Sequence, residues 1–188
     1  VPDQTGLELL AQRVGDEVPD SILGTVHFRE QATLLCTPGA IREVLQTLRG
    51  AGFEHLMSVH GVDYYPEEPR LGVIYELLDR NALDRVRVKV RVPVSDAVVP
   101  SVTPDWPTAN FHEREIYDMF GVDFEGHPDP RRILMPEDYQ GFPQRRDFPI
   151  GGEPVLFTKD HGDDYTEQGE TSPAARSPRA AGSPKGSR

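Results

Sequence analysis

From residue 85 to 92 apolar and basic side chains alternate without interruption: Val86, Val88, Val90 and Val92 fall at every second position, with Arg85, Arg87, Lys89 and Arg91 between them. A period of two is the pattern of a strand with one face in a core and the other in water. The four cations read as a solvated strand face that discourages edge pairing. Apolar runs over residues 55–62 and 71–78 predict two more strands, and residues 24–28 and 32–37 predict a hairpin turned at 29–31.

Helical spacing appears three times. Residues 7–14 form a short helix candidate, with Thr5 placed to cap it and Gly15 near its end. Over residues 38–52, Ile41, Val44, Leu45 and Leu48 share one face, Pro38 suits the first turn, and Gly50 or Gly52 supplies a left-handed end. Residues 109–120 form the third, closed by Gly121, with Ile116, Met119 and Phe120 as its apolar stripe. The order of helix, hairpin, helix and three strands predicts an α+β fold, with helices packed on a mostly antiparallel sheet. We expect an α+β domain over residues 1–92. A helix and an extended partner-binding arm without regular sheet should follow over 93–158, then an unstructured basic Ser/Pro/Ala/Gly tail over 159–188.

Charge narrows the partners. A formal net charge of −11 argues against generic affinity for nucleic acid or anionic lipid, which leaves proteins or small molecules. No window approaches the roughly 18 apolar residues of a membrane span, and the first residues lack the pattern of a secretory signal. The chain is expected on the cytoplasmic side, touching a membrane only through other proteins. Cys36 is the single cysteine, and an iron–sulfur cluster typically takes about four thiolates. In its apolar surroundings Cys36 reads as a buried small hydrophobe.

The densest stretch of information runs from Asn110 to Pro149. It contains Glu113-Arg-Glu-Ile-Tyr-Asp-Met-Phe-Gly121, then Gly126-His-Pro-Asp-Pro-Arg-Arg132, then Gly141-Phe-Pro-Gln-Arg-Arg-Asp-Phe-Pro149. In these motifs the chain resembles the 30 kDa subunit family of respiratory complex I, and weaker agreement extends the resemblance over residues 5–158. Ser58-Val-His-Gly-Val-Asp-Tyr64 and Val73-Ile-Tyr-Glu-Leu77 are its recognisable earlier parts. Pro130 and Gln144 stand where the family usually has other residues.

The resemblance implies a structural and assembly subunit in the peripheral arm of a proton-translocating NADH:quinone oxidoreductase. Its partners would be the large quinone-site subunit and the adjacent Fe–S subunits. NADH, FMN, the Fe–S clusters and quinone would sit on those partners, with no cofactor bound by this chain and no active site of its own. The same family includes subunits of membrane-bound nickel–iron hydrogenases, so an equivalent place in a related complex is the alternative. The implied partner-contacting residues are Glu113, Arg114, Glu115, Tyr117, Asp118, Phe120 and Gly121 on the helix and its end. Gly126, His127, Pro128, Arg131 and Arg132 follow, and then Gly141, Pro143, Arg145, Arg146 and Asp147.

The same residues carry a reading of their own. Arg114 and Asp118 are four apart and suited to pair along the helix. Glu113, Arg114, Glu115 and Asp118 place charge on several of its faces. Arg131, Arg132, Arg145 and Arg146 suit bidentate pairing with a partner's carboxylates, with Phe124, Tyr139, Phe142 and Phe148 as aromatic anchors. The glycines suit turns, and His127 suits a hydrogen-bonded loop. A stand-alone metal hydrolase is the rival from another class, since His112, Glu113, Glu115, Asp118 and His127 concentrate ligand-type side chains. The helical zinc motif, however, wants a second histidine where Ile116 stands. Gly50-Ala51-Gly52 lacks the third glycine of a dinucleotide fingerprint, His55 standing in its place.

Overall fold

The computed structural model describes residues 2–149. Helix α1 (Gln4–Glu17) is opened by Asp3, whose Oδ1 accepts a hydrogen bond from the Gly6 amide at 2.7 Å. It begins earlier and ends later than expected, because Asp3 rather than Thr5 supplies the cap and Gly15 is carried inside the helix. Strands β1 (Ile22–Phe28) and β2 (Gln31–Cys36) form the expected hairpin. Its turn residues Arg29 and Glu30 take φ of 49° and 59°, the twist that a two-residue hairpin connection needs. A 3₁₀ turn at Pro38–Ala40 leads into α2 (Ile41–Gly50), which buries Ile41, Val44, Leu45 and Leu48 on one face.

Strands β3 (His55–Asp63), β4 (Leu71–Asp79) and β5 (Asp84–Val92) form an antiparallel meander. The sheet runs β1-β2-β5-β4-β3, every neighbouring pair antiparallel except β2 with β5. The mixed architecture is therefore the one the sequence pattern predicts. One reading is corrected: β5 is the central strand, so its basic residues do not guard an edge. Parallel pairing of β2 with β5 closes across α2, β3 and β4, and no local periodicity encodes such a non-local pair.

Val86, Val88, Val90 and Val92 are buried beside Leu77, Tyr75, Val73 and Leu71 of β4, register partner by register partner. α1 and α2 add Leu7, Val14, Ile41, Val44, Leu45 and Leu48 to the same core. Cys36 is buried among them, and burial pushes its thiol up to about 12, the behaviour of a small hydrophobe rather than a nucleophile.

The core does not stop at Val92. Val99, Val102, Trp106, Ala109, Ile116, Val122 and Phe124 belong to the same apolar cluster, and the Trp106 indole donates to the Glu54 carbonyl at 3.0 Å. Strand β6 (Val98–Pro100), helix α3 (Ala109–Phe120) and strand β7 (Asp123–Glu125) lie in this part of the chain. β7 pairs with β6 in parallel, which corrects the expectation that no regular sheet follows the helix. Three residues are too few to show alternation, and their partner lies across α3. α3 packs against β3, where Gly61 leaves room for the ring of Phe120. Among the described residues no helix is long and apolar enough to cross a membrane. The tail expected from residue 159, and the last residues of the expected arm from 150, lie outside the described residues.

Candidate functional site

The signature segment is organised by carboxylates that the sequence reading placed on a helix surface. Asp118 is fully buried on α3. Its Oδ1 accepts from Arg132 Nη1 at 2.6 Å, and its Oδ2 accepts from the amides of Ile133, Leu134 and Met135 at 3.0, 2.7 and 2.8 Å. Burial pushes this carboxyl up, but the Met135 amide, the Arg132 guanidinium and the other two amides outweigh it and hold the group below the usual carboxylate range. The anticipated Arg114–Asp118 pair does not form. A buried carboxylate with four donors is better satisfied than one side of a solvated helix pair, which contributes about 0–1 kcal/mol. Arg114 instead donates to the carbonyls of Arg131 and Arg132 at 3.0 and 3.1 Å, with Asp129 at 3.6 Å.

Glu113 is buried too, facing the loop after β6. It accepts from Ser101 Oγ at 2.6 Å, the Val102 amide at 2.8 Å and Thr103 Oγ1 at 3.0 Å. Burial nonetheless raises its pKa. His127 lies 3.7 Å from this carboxylate, and its Nδ1 accepts from the Asp129 amide at 3.0 Å. With Nδ1 accepting, Nε2 carries the proton and faces the Asn110 carbonyl at 3.2 Å.

At the end of α3 the chain reverses through Gly121, at φ 69°, where a side chain would be strained and would meet Arg145 Nη2 at 2.6 Å. Arg145 covers the exposed helix carbonyls, donating to Phe120 O at 2.6 Å and Gly121 O at 3.3 Å while lying over the Phe142 ring. Arg132 reaches the Gly141 carbonyl at 3.1 Å. Arg131 pairs with its neighbour Asp129, Nε to Oδ1 at 2.6 Å.

The farthest fastening joins the segment to the sheet. Arg70 grips Asp63 with Nε at 2.8 Å and Nη2 at 2.6 Å, and grips Asp147 with Nη1 at 2.8 Å and Nη2 at 2.7 Å. The Arg146 amide adds a bond to Asp63 at 2.7 Å. The Arg70 guanidinium, ahead of two backbone amides, holds Asp63 well below the ordinary carboxylate range. The roles of Asp63 and Arg70 were missed from sequence. Their signal was present: Asp63 follows Val59 and Gly61 at strand period, so a carboxylate stands at a core-facing position.

The expected contact residues therefore divide. Glu113 and Asp118 are buried, while Arg114, Tyr117, Phe120, Gly121, His127, Arg132, Pro143 and Arg145 are half-buried. Glu115, Gly126, Pro128, Arg131, Gly141, Arg146 and Asp147 are exposed. Between α3 and β3 lies a cavity of about 450 Å³, lined by His60, His112, Glu115, Met119, Phe120, Leu134 and Gln144 among others. Phe111 and Leu134 are exposed, 62% and 61%. No three His, Cys, Asp or Glu side chains are gathered as a metal would require among the described residues. Glu113 and Asp118 are each occupied by separate donor sets, so the five ligand-type side chains do not converge.

Residues 34–154 match the family described as the respiratory-chain NADH dehydrogenase 30 Kd subunit. The C subunit of the NADH-quinone oxidoreductase of Roseiflexus sp. (strain RS-1) is 44% identical over 150 residues, 78% of this chain and 86% of that protein. The protein of the same description from Saccharopolyspora erythraea is 43% identical over 152 residues, 79% and 61% of the two chains. Among solved structures, a trypsin-resistant fragment (1–134) of Nqo5 is similar with TM-score 0.56 and 31% identity, covering 65% of this chain and 98% of the fragment. One chain of an archaeal membrane-bound sulfane sulfur reductase is similar with TM-score 0.65 and 26% identity, covering 78% and 87%. With its signature held in the geometry described above, this chain belongs to the family of respiratory-chain NADH dehydrogenase 30 kDa subunits.

Proposed function

We infer that this chain is a structural and assembly subunit of a proton-translocating NADH:quinone oxidoreductase, bracing the subunits that carry the electrons. The similarity to NADH-quinone oxidoreductase subunits over more than three quarters of the chain supports the reading. The observation that carries the bracing role is the use made of the signature. Asp118, Arg132, Arg145 and the Asp63–Arg70–Asp147 set fix the shape of residues 118–147. Phe111 and Glu115 of α3, and Leu134 and Arg146 of that segment, are exposed. Exposed arginine together with exposed aromatic and aliphatic side chains is the composition of an interface anchor.

On this reading the segment contacts the large quinone-site subunit and the Fe–S subunits beside it, on the cytoplasmic face of the membrane. NADH, FMN, clusters and quinone are held by those partners, and this chain holds geometry. A supporting shell that fixes positions is what tunnelling and quinone chemistry require of a subunit without ligands.

Arg145 and Arg146 separate the two layers. Arg146→Ala removes an exposed guanidinium with no ion pair among the described residues, and should lower the yield of assembled complex while the chain stays as stable as before. Arg145→Ala uncovers the α3 carbonyls and should destabilise the isolated chain itself. Activity per assembled complex should stay near normal in both. A large loss of turnover in fully assembled Arg146→Ala complex would overturn the bracing role. Tagging the chain in its native cell and identifying what accompanies it from detergent-extracted membranes tests the assignment. NADH dehydrogenase subunits support it. Hydrogenase or sulfur-reductase subunits would place the chain in a sister complex, the reading that the archaeal similarity favours.

A further inference from the structure

The face of the sheet turned away from the helices carries a feature that the signature does not use. Along the central strand β5, Arg85, Arg87, Lys89 and Arg91 stand in one row, roughly 6.6–7 Å apart by strand geometry. Their neighbours across the sheet are Leu78, Glu76, Ile74 and Gly72 of β4, and Thr33 and Leu35 of β2. The row is incompletely neutralised. Arg87 pairs with Glu76 at 2.6 Å, and Arg91 meets the exposed Glu67 at 3.3 Å. Arg85 and Lys89 make no ion pair among the described residues, whereas Nε and Nη2 of Arg91 are buried without an acceptor, so Arg91 turns no free donor outward beyond the Glu67 pair. Tyr64 lies over Gly72 as a platform, with Lys89 Nζ 3.9 Å and Arg91 4.5 Å from its ring centre.

Two hollows flank the row. One, of about 440 Å³, is polar and bounded by Arg29, Ser58, His60, Glu76, Arg85 and Arg87. The other, of about 200 Å³, lies between Val26, Phe28, Leu35, Tyr64 and Ile74, beside Lys89. Val26 and Phe28 remain 45% and 62% exposed at its rim.

We propose that this open face is a second docking surface, and that its occupant is an acidic segment of a neighbouring protein laid along β5, with carboxylates toward Arg85 and Lys89 and an apolar side chain in the hollow beside Phe28. Charge complementarity selects the occupant. On a chain of net charge −11 a row of cations attracts an acidic segment against a net-negative background, which favours one orientation as well as one site. Carboxylates satisfy guanidinium forks with paired hydrogen bonds. A nucleic acid, with one charge per about 1.7 Å of duplex, would meet that net-negative background along its whole length.

Lys89 makes the surface directly measurable, because it is the only lysine before Lys159. Native cells producing the tagged full-length chain are gently lysed and labelled with an amine-acetylating reagent before any purification. The folded, isolated chain is labelled in parallel. A second aliquot of lysate receives a carbodiimide, which joins an amine to a carboxylate without a spacer. Acetylation of Lys89 at least tenfold slower in the lysate, with Lys89 joined to an Asp or Glu of another polypeptide, supports the proposal. Equal rates overturn it, as does a cross-link within this chain or to a second copy of it. Arg85→Glu changes an exposed residue and should abolish most of the protection. Protection that survives it unchanged would mean an occupant held by something other than its acidity. Labelling before purification reads the surface whether or not the chain later emerges in the oxidoreductase, so the two readings fail separately.

Discussion

Between Ile22 and Val92 most buried side chains are hydrocarbon, Leu34, Leu45, Leu71, Val73, Leu77 and the four valines of β5 among them. From Ser101 to Asp147 the chain is fastened by carboxylates, with Glu113 and Asp118 both fully buried and Asp147 closing on Arg70. Apolar burial is non-directional and tolerates many sequences of the right volume. A buried carboxylate with four donors admits one arrangement of the chain around it, because any other leaves charges and amides unsatisfied. The core of the first region needs only to be a stable platform. In the proposed bracing role the second has to present one shape outward, and its polar fastening serves that end.

Acid should tell the two regions apart. Asp118→Ala strands the Arg132 guanidinium and three amides and should cost about 3–5 kcal/mol in urea unfolding, comparable with about 2–5 kcal/mol for Leu77→Ala in the sheet. The folded-state pKa of Asp118 is depressed. Its stabilisation is therefore present above the unfolded value of about 3.9 and lost as pH falls through the folded one. Repeating the measurement near pH 2 should shrink the Asp118→Ala effect and leave that of Leu77→Ala in place. Equal shrinkage of both would erase the distinction.

Arg70→Met leaves Asp63 without its guanidinium in a buried position, at a cost of about 3 kcal/mol. The sharper readout is local: hydrogen exchange at the Arg146 amide, bonded to Asp63, should rise at least tenfold while amides in β4 and β5 change less. Gly121→Ala forces a left-handed φ on a residue with a side chain and crowds Arg145, for about 1–2 kcal/mol, visible as a lowered melting temperature. Glu113→Gln should give the smallest change, within about 1 kcal/mol. The Glu113 pKa is raised in the fold, so its contribution is fully present below about 4.3 and is lost as pH rises through the folded value. The variant should show a flatter melting temperature against pH above that point.

The sheet was largely legible in the chain, since β5 and α2 announce themselves by period alone. Where the structure departs from the pattern, distance along the sequence is the reason. The parallel partner of β5 lies beyond two other strands, and that of β7 beyond a helix. Asp118 reads as surface charge because its position on the helix does not reveal that donors arrive 14 to 17 residues later. The chemistry of Arg131, Arg132 and Arg145 was recognised, but it is directed first at this chain's own carboxylates and carbonyls. Arg29 and Glu30 turned a hairpin without the asparagine or glycine that usually marks one.

The Asp63–Arg70–Asp147 clasp also imposes an order of events at the ribosome. Asp63 and Arg70 are seven residues apart and leave the exit tunnel almost together, whereas Asp147 is added 77 residues after Arg70. At synthesis rates of about 5–20 residues per second, the half-made clasp waits about 4–15 s for its second carboxylate. Nascent β3 and β4 thus spend those seconds as a receptor with one vacant seat, and the last turn of the signature is born opposite the partner that will hold it.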